Sequence, residues 1–197
     1  MRTTRLGIAR RLLLWIGTAT LAYVGCTVAY AEVYQRYQSW KFDREIAITP
    51  AIHASTEEAA IELREGDVVG RLEIPRVAIS VMVLQGTEEK SLAAGAGHVP
   101  GTPLPGADGN VAVAAHRDTF FRGLKDIRRG DSIRFSIRSL TYEYKVVSME
   151  TVDPEDTSVI ESRDRQELTL ITCYPFYYVG SAPKRFIVHA VPVEEKQ

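Results

Sequence analysis

Leu168-Thr169-Leu170-Ile171-Thr172-Cys173-Tyr174-Pro175 holds the one cysteine that lies outside the N-terminal apolar segment. Leu168, Leu170 and Thr172 alternate with Thr169, Ile171 and Cys173, the two-residue period of a β-strand, so the run predicts a strand ending at the thiol. Pro175 cannot donate to a sheet ladder and confines Tyr174 to an extended or turn conformation. A thiol at the mouth of a strand, with a rigid turn behind it, suits a nucleophile better than a packing residue.

The alternation extends outward from this run. Val68 to Ile74, Ala78 to Leu84, Asn110 to Ala115, Ser132 to Ile137, Thr141 to Val152, Glu167 to Cys173 and Arg185 to Val193 all read as strands. Pro75-Arg76 and Arg138-Ser139-Leu140 are short enough to be turns between neighbours. Glu88 to Ala96 and Thr119 to Ile127 each allow one or two helical turns. Seven short strands without an internal repeat predict an all-β domain over residues 67–197, a small sandwich or closed barrel, large enough for one modest core.

Upstream of that domain the chain changes character. Leu12 to Ala31 is a 20-residue run without a charge, and at about 1.5 Å per helical residue it matches the roughly 30 Å hydrocarbon core of a bilayer. Arg2, Arg5, Arg10 and Arg11 precede it and Glu32 follows it. The positive-inside rule therefore predicts one N-terminal transmembrane helix, with residues 1–11 cytoplasmic and everything after residue 31 extracytoplasmic. The run exceeds the h-region of a signal peptide, although Ala29-Tyr30-Ala31 has the small-x-small form of a cleavage site. Tyr23-Val24-Gly25-Cys26 only loosely resembles a lipoprotein box, since the residues after Cys26 stay apolar. Residues 32–66 read as a stalk: Glu32 to Lys41 prolongs the helix, Thr49-Pro50 interrupts it, and Ser55 to Glu65 offers a short capped helix stopped by Gly66.

Composition excludes several classes. At 45% hydrophobic and 25% charged residues the chain is an ordinary globular protein rather than a disordered one. Of its 24 basic residues four stand in the N-terminal tail, leaving 20 against 25 acidic residues in the remainder, so no nucleic-acid footprint is present. Two cysteines far apart in sequence give no disulfide framework. No His pair has ligand spacing and no second Cys lies near Cys173, so neither a metal nor another cofactor is expected.

A catalytic thiol needs a group to handle its proton and a donor for the oxyanion. Of His53, His98, His116 and His189, the first falls in the stalk and the last sits late in a terminal strand. His116 ends the apolar run Val111 to Ala115, at a strand end like Cys173, and the matching thiol makes it the candidate base. Arg185, opening the last strand on the same face as Ile187 and His189, presents a charged fork suited to a developing oxyanion. Asp118 reads as the cap of the turn Thr119 to Arg122 rather than as a partner of His116. Tyr174, Phe176, Tyr177 and Tyr178 either line a substrate groove or cover the end of the barrel. The acidic residues Glu150, Asp153, Glu155 and Asp156 read as a solvated loop rather than a calcium site.

These residues resemble the sortases, membrane-anchored cysteine transpeptidases of bacterial surfaces. Thr169-Leu170-Ile171-Thr172-Cys173 looks like the family's T-L-x-T-C signature, and Arg185 stands twelve residues after the cysteine, where the family places its arginine. The block from Gly97 to Gly106, then Gly109-Asn110, then His116-Arg117-Asp118-Thr119-Phe120-Phe121-Arg122, is similar to the stretch that carries the family's histidine. With Cys173-Tyr174-Pro175-Phe176 it most resembles the class D branch, from about Gly70 to Val191. One departure is Ala115, where relatives usually carry Gly; an extra methyl is tolerated if that residue is extended.

The resemblance implies a sortase-like eight-stranded β-barrel with short helices behind the membrane helix. It implies Cys173, His116 and Arg185 as catalytic residues and Thr172, Tyr174 and Ala115 as substrate-binding positions. The implied partners are secreted proteins bearing a C-terminal L-P-x-T-G-like sorting signal and an amine nucleophile, from a peptidoglycan precursor or a protein. Membrane lipid would be met through residues 12–31, with no nucleic acid and no cofactor. Two rivals stand beside this. An extracytoplasmic cysteine peptidase of papain type usually places Cys before His, and here His116 precedes Cys173. A tethered binding barrel with an unreactive Cys and His is the other.

Overall fold

The computed structural model describes the backbone of residues 2–48, 63–138, 140–161 and 165–193, and side chains for all of these except 2–9, 27, 28, 31, 32, 42, 43 and 45–48. A helix, α1 (Arg2–Ile48), leads into β1 (Val68–Ile74) and β2 (Ile79–Gln85), then a short α2 (Glu89–Ala94) and β3 (Ala96–His98). β4 (Asn110–Ala114), β5 (Ser132–Ile137), β6 (Leu140–Val152), β7 (Glu167–Tyr174) and β8 (Lys184–Pro192) complete the set. The strands close into a barrel in the order β1-β2-β3-β4-β7-β8-β6-β5. β2–β3 and β4–β7 are parallel pairs; the other neighbours are antiparallel.

Seven of these strands are the ones predicted from alternation, each within a residue or two of its observed ends. The eighth, β3, falls where the sequence suggests the end of a helix. Ala96-Gly97-His98 has no β-branched residue to mark it, and its signal is steric instead. A Cβ built on Gly97 would stand 2.2 Å from the carbonyl oxygen of Gly86, so only glycine lets this short strand approach the end of β2. The second predicted helical turn shrinks to a 3-10 turn at Arg122–Asp126, whose N-cap is Phe121 without a side-chain hydrogen bond. Asp118 therefore does not cap it. Of the Ser55 to Glu65 helix, residues up to 62 lie outside the described ones, and Glu65-Gly66 forms a turn.

Period-two burial separates inside from outside. Leu72, Ile74, Val81, Val83, Val111, Val113, Ile133, Phe135, Tyr144, Val146, Leu168, Leu170, Val188 and Ala190 point inward into one cluster, closed at one end by Phe121 and Leu124. Each such side chain stabilises the fold by about 1.5–3 kcal/mol on burial. Burial pushes the Tyr144 phenol up to about 12. Met82 and Leu84, at 1% exposure each, belong to the opposite face of β2, against which α1 packs, while α2 contacts α1 and β3. Gln35 of α1 accepts a hydrogen bond from the Met82 N–H at 2.8 Å and donates to the Ala94 carbonyl.

Among the described residues no helix is long and apolar enough to cross a membrane. The run 12–31 includes residues 27, 28 and 31, whose side chains lie outside them.

Candidate active site

Register builds the site. In the parallel β4–β7 ladder Ala114 lies opposite Ile171. The pairing continues past the end of β4: the Ala115 N–H donates to the Ile171 carbonyl at 3.1 Å. Thr172 Oγ1 then donates to the Ala115 carbonyl at 2.7 Å. Extending that register by two residues sets His116 level with Cys173. Across the antiparallel β7–β8 ladder, Cys173 is directly paired with Arg185. Cys173 and Arg185 thus share one rung of the β7–β8 ladder, about 4.8 Å from strand to strand, and His116 follows two residues after the end of β4 on the other side of β7.

Alternation gives the three a common face. Val111 and Val113, Leu168 and Leu170, and Val188 and Ala190 point into the core. Residues of the other parity, among them Cys173 and Arg185, project from the outer surface of the barrel, and His116 follows in phase with Ala112 and Ala114. All three are half-buried, and Cys173 is a free thiol. The Arg185 guanidinium donates from Nη1 to the carbonyls of Lys184 at 3.1 Å and Ala182 at 3.4 Å. Its Nε and Nη2 make no hydrogen bond among the described residues. A planar cation with two unspent donors beside a thiol can hold a carbonyl oxygen in reach of that sulfur.

The lower part of the same face is roofed. Asn110 Nδ2 donates to the Val159 carbonyl at 3.0 Å, and Thr169 Oγ1 donates to Asn110 Oδ1 at 2.8 Å. These buried bonds pin the 3-10 turn Ser158–Ile160 over β4 and β7, which leaves the strand ends carrying His116 and Cys173 as the open end of the face. His189 lies four residues further along β8, paired with Thr169, with Nε2 2.8 Å from Glu150 Oε1 and Nδ1 3.3 Å from Thr169 Oγ1. It belongs to this roof network and stands away from the thiol.

The three expected substrate-binding positions divide. Ala115 and Thr172 are buried, at 6% and 2% exposure, and face the interior, where they tie the His116 strand to the Cys173 strand. Both side chains have core parity and so point away from the face that carries Cys173. The Ala115 methyl sits in the core cluster, which explains why this position accepts a Cβ. Tyr174 stacks on Phe186 at 6.2 Å between ring centroids and meets Phe176 edge-on at 6.0 Å. Phe176 and Phe186 pack against the core. Of the two readings of the aromatics, Tyr174, Phe176 and Phe186 cover the barrel end, while Tyr177 and Tyr178 stay exposed on the loop between β7 and β8.

The acidic residues at the end of β6 and just beyond it are partnered separately. Glu150 meets His189, Asp153 accepts from Lys184 Nζ at 2.7 Å, and Asp156 accepts from Ser158. Those Ser158 hydrogen bonds hold the Asp156 carboxyl below its usual value. No group of three or more metal-ligating side chains forms among the described residues.

Two residues of consequence were not among the expected site residues. Arg117 reaches from the His116 turn to the β7–β8 loop, donating to the carbonyls of Tyr178 and Gly180. His98 is buried at 2% exposure between Gln85 Oε1 and the Pro103 carbonyl. Its neighbours in sequence are small and give no hint of that pocket.

Residues 72–193 match the family model described as Sortase domain. The chain is 36% identical over 133 residues to Sortase D of Bacillus subtilis (strain 168), a match covering 67% of each chain. It is similar in fold to a solved Clostridium perfringens Sortase D5 transpeptidase, with a TM-score of 0.67, 21% identity, and coverage of 84% of this chain and 99% of that one. A lid mutant of sortase A from Corynebacterium diphtheriae is similar at 30% identity and a TM-score of 0.62, over 68% of this chain and 74% of that one.

Proposed function

This chain belongs to the sortase family, and from that premise we propose that it is an extracytoplasmic cysteine transpeptidase acting on L-P-x-T-G-like sorting signals. Cys173, its thiol proton passed to His116, attacks the carbonyl carbon of the signal's Thr, and Arg185 donates to the oxygen as it gains charge. The C–N bond to the next residue breaks as His116 gives a proton to the leaving amine, which leaves a thioacyl enzyme. An amine from a wall precursor or another protein then attacks the thioester, gives its proton to His116, and releases Cys173. No cofactor enters this cycle. A positioned acid and base is worth about 10²–10⁴ in rate, and an oxyanion donor about 10²–10³.

The observation that carries the proposal is the direct pairing of Cys173 with Arg185 across β7 and β8, with His116 standing two residues past the end of β4, the strand on the other side of β7. Anchoring of the enzyme by residues 12–31, with the N-terminus cytoplasmic, is supported by the uncharged run and its arginine-rich approach. Large apolar side chains also stand exposed along α1, including Leu13 at 70%, Trp15 at 75% and Leu21 at 75%. An exposed apolar surface of this kind suits lipid.

The test is intact-mass spectrometry of the full chain in detergent, incubated with a panel of L-P-x-T-x peptides and an amine such as glycine or a diamino acid. A ligated product together with an acyl adduct on Cys173 is expected. Cleavage by water alone, with every amine tried, would replace the transferase by a hydrolase.

A further inference from the structure

The turn after β4 and the loop joining β7 to β8 are tied together by one side chain. Arg117, adjacent to His116, donates from a single nitrogen, Nη2, to the carbonyl of Tyr178 at 2.9 Å and that of Gly180 at 3.2 Å. Its guanidinium carbon lies 5.8 Å from the centroid of the Tyr178 ring. The other terminal nitrogen, Nη1, is buried with no hydrogen-bond partner.

The loop at residues 175–183 has little else to fix its tip. The base is anchored by Phe176 in the aromatic cluster, but Tyr177, Tyr178, Gly180 and Ser181 are exposed, and Val179 is 99% exposed. Among the described residues, the hydrogen bonds reaching Tyr178 and Gly180 come from Arg117 alone. Gly180 has φ +104°, a left-handed conformation, and this reversal turns two carbonyls two residues apart toward one nitrogen. A Cβ built on Gly180 meets nothing within 4 Å, so the position calls for glycine through its backbone and not through space.

We propose that Arg117 is a positioning residue: it clasps the β7–β8 loop to the His116 turn, so that the wall running from Cys173 to Arg185 is formed before substrate arrives. A loop already ordered loses less conformational entropy on binding. The clasp thus strengthens substrate capture and leaves proton transfer to His116. This rests on the transpeptidase reading for its kinetic consequence, while the clasp itself concerns only the loop.

Three variants of the full chain in detergent test it: Arg117→Ala, Arg117→Lys and Gly180→Ala. Two readouts are taken, the rate of chymotryptic cleavage after Tyr177 and Tyr178, and kcat and KM for peptide ligation over a range of pH. In Arg117→Ala and Gly180→Ala the loop is expected to be cut about tenfold faster. KM rises about tenfold in both, while kcat stays within about twofold and the pH profile keeps its shape. Arg117→Lys restores part of the loss, since an ammonium reaches a carbonyl but lacks the fork. Loop cleavage at the wild-type rate in both Arg117→Ala and Gly180→Ala overturns the clasp. A fall in kcat with KM unchanged, or a displaced pH profile, overturns the positioning role by placing Arg117 in the chemistry. If the wild-type chain ligates no peptide, the transpeptidase reading fails, and the cleavage rates alone still decide the clasp.

Discussion

At Cys173 two features separable in the sequence become one. Strand alternation put the thiol on the face opposite Leu168 and Leu170, and the barrel turns that face outward beside His116 and Arg185. A half-buried thiol contributes little core volume, so Cys173→Ala is expected to unfold at the wild-type denaturant midpoint while forming no acyl adduct. Any adduct in that variant, by intact mass, would move the nucleophile elsewhere. Arg185→Lys keeps the charge but gives up the planar fork, and with Nη1 already committed to the Lys184 and Ala182 carbonyls an ammonium cannot serve both ends. A loss of about 10²-fold in kcat/KM for ligation is expected; an unchanged value would reduce Arg185 to a surface residue. Thr172 and Ala115 show the limit of reading a motif residue by residue. Both flank the chemistry in sequence, yet their parity sends them inward, where they join the two strands that carry it.

At the scale of elements, the strands with β-branched, alternating residues were legible and β3 was not, because nothing in Ala96-Gly97-His98 reports burial on its own. Its place depends on a partner: His98 bridges Gln85 of β2 and the Pro103 carbonyl, with Thr102 Oγ1 3.1 Å from Nε2, so one imidazole fastens a three-residue strand to the following loop. Burial lowers the His98 pKa from 6.5, outweighing the hydrogen bond to Pro103 that raises it. The folded state therefore favours the neutral ring more than the unfolded chain does. Below pH 6.5 the unfolded chain takes up the proton first, so this contribution is complete above 6.5 and lost as pH falls toward the depressed folded value. Urea midpoints measured between pH 8 and 5 are expected to fall on the acid side, and His98→Gln should flatten that slope at a cost of about 1–3 kcal/mol. Asp131 acts in a separate window. Its hydrogen bonds to Arg76 hold its carboxyl below 3.8, so its contribution is lost only as pH falls below that value. A slope between pH 8 and 5 that persists unaltered in His98→Gln would assign the effect to another group.

The whole molecule is shaped by where α1 lies. Its 47 residues make a rod of about 70 Å. The segment beyond residue 31, expected as a stalk, continues as helix to Ile48, and part of it packs on the barrel. Gln35 pairs with the N–H of Met82 and the carbonyl of Ala94, and Ser39 accepts from Arg71 Nη2 through its carbonyl at 3.0 Å and its hydroxyl at 2.6 Å. Gly95 makes room for this approach, since a Cβ there would stand 2.8 Å from Gln35 Nε2. If residues 12–31 span the bilayer as proposed, only about 6 Å of helix separates its surface from the first contact with the barrel. The catalytic domain is then held against the membrane instead of swinging on a tether. Gln35→Ala tests the docking directly, because it strands the Met82 N–H on a side of β2 where that residue is 1% exposed. A loss of about 1–3 kcal/mol in urea unfolding of the full chain is expected, together with faster hydrogen exchange at the Met82 amide. Ligation of a soluble peptide should be unchanged, since Gln35 touches β2 and α2 and the proposed chemistry sits on β4, β7 and β8. Wild-type exchange at Met82 in that variant would mean that the helix is not docked in solution, and the barrel would again be free of the membrane.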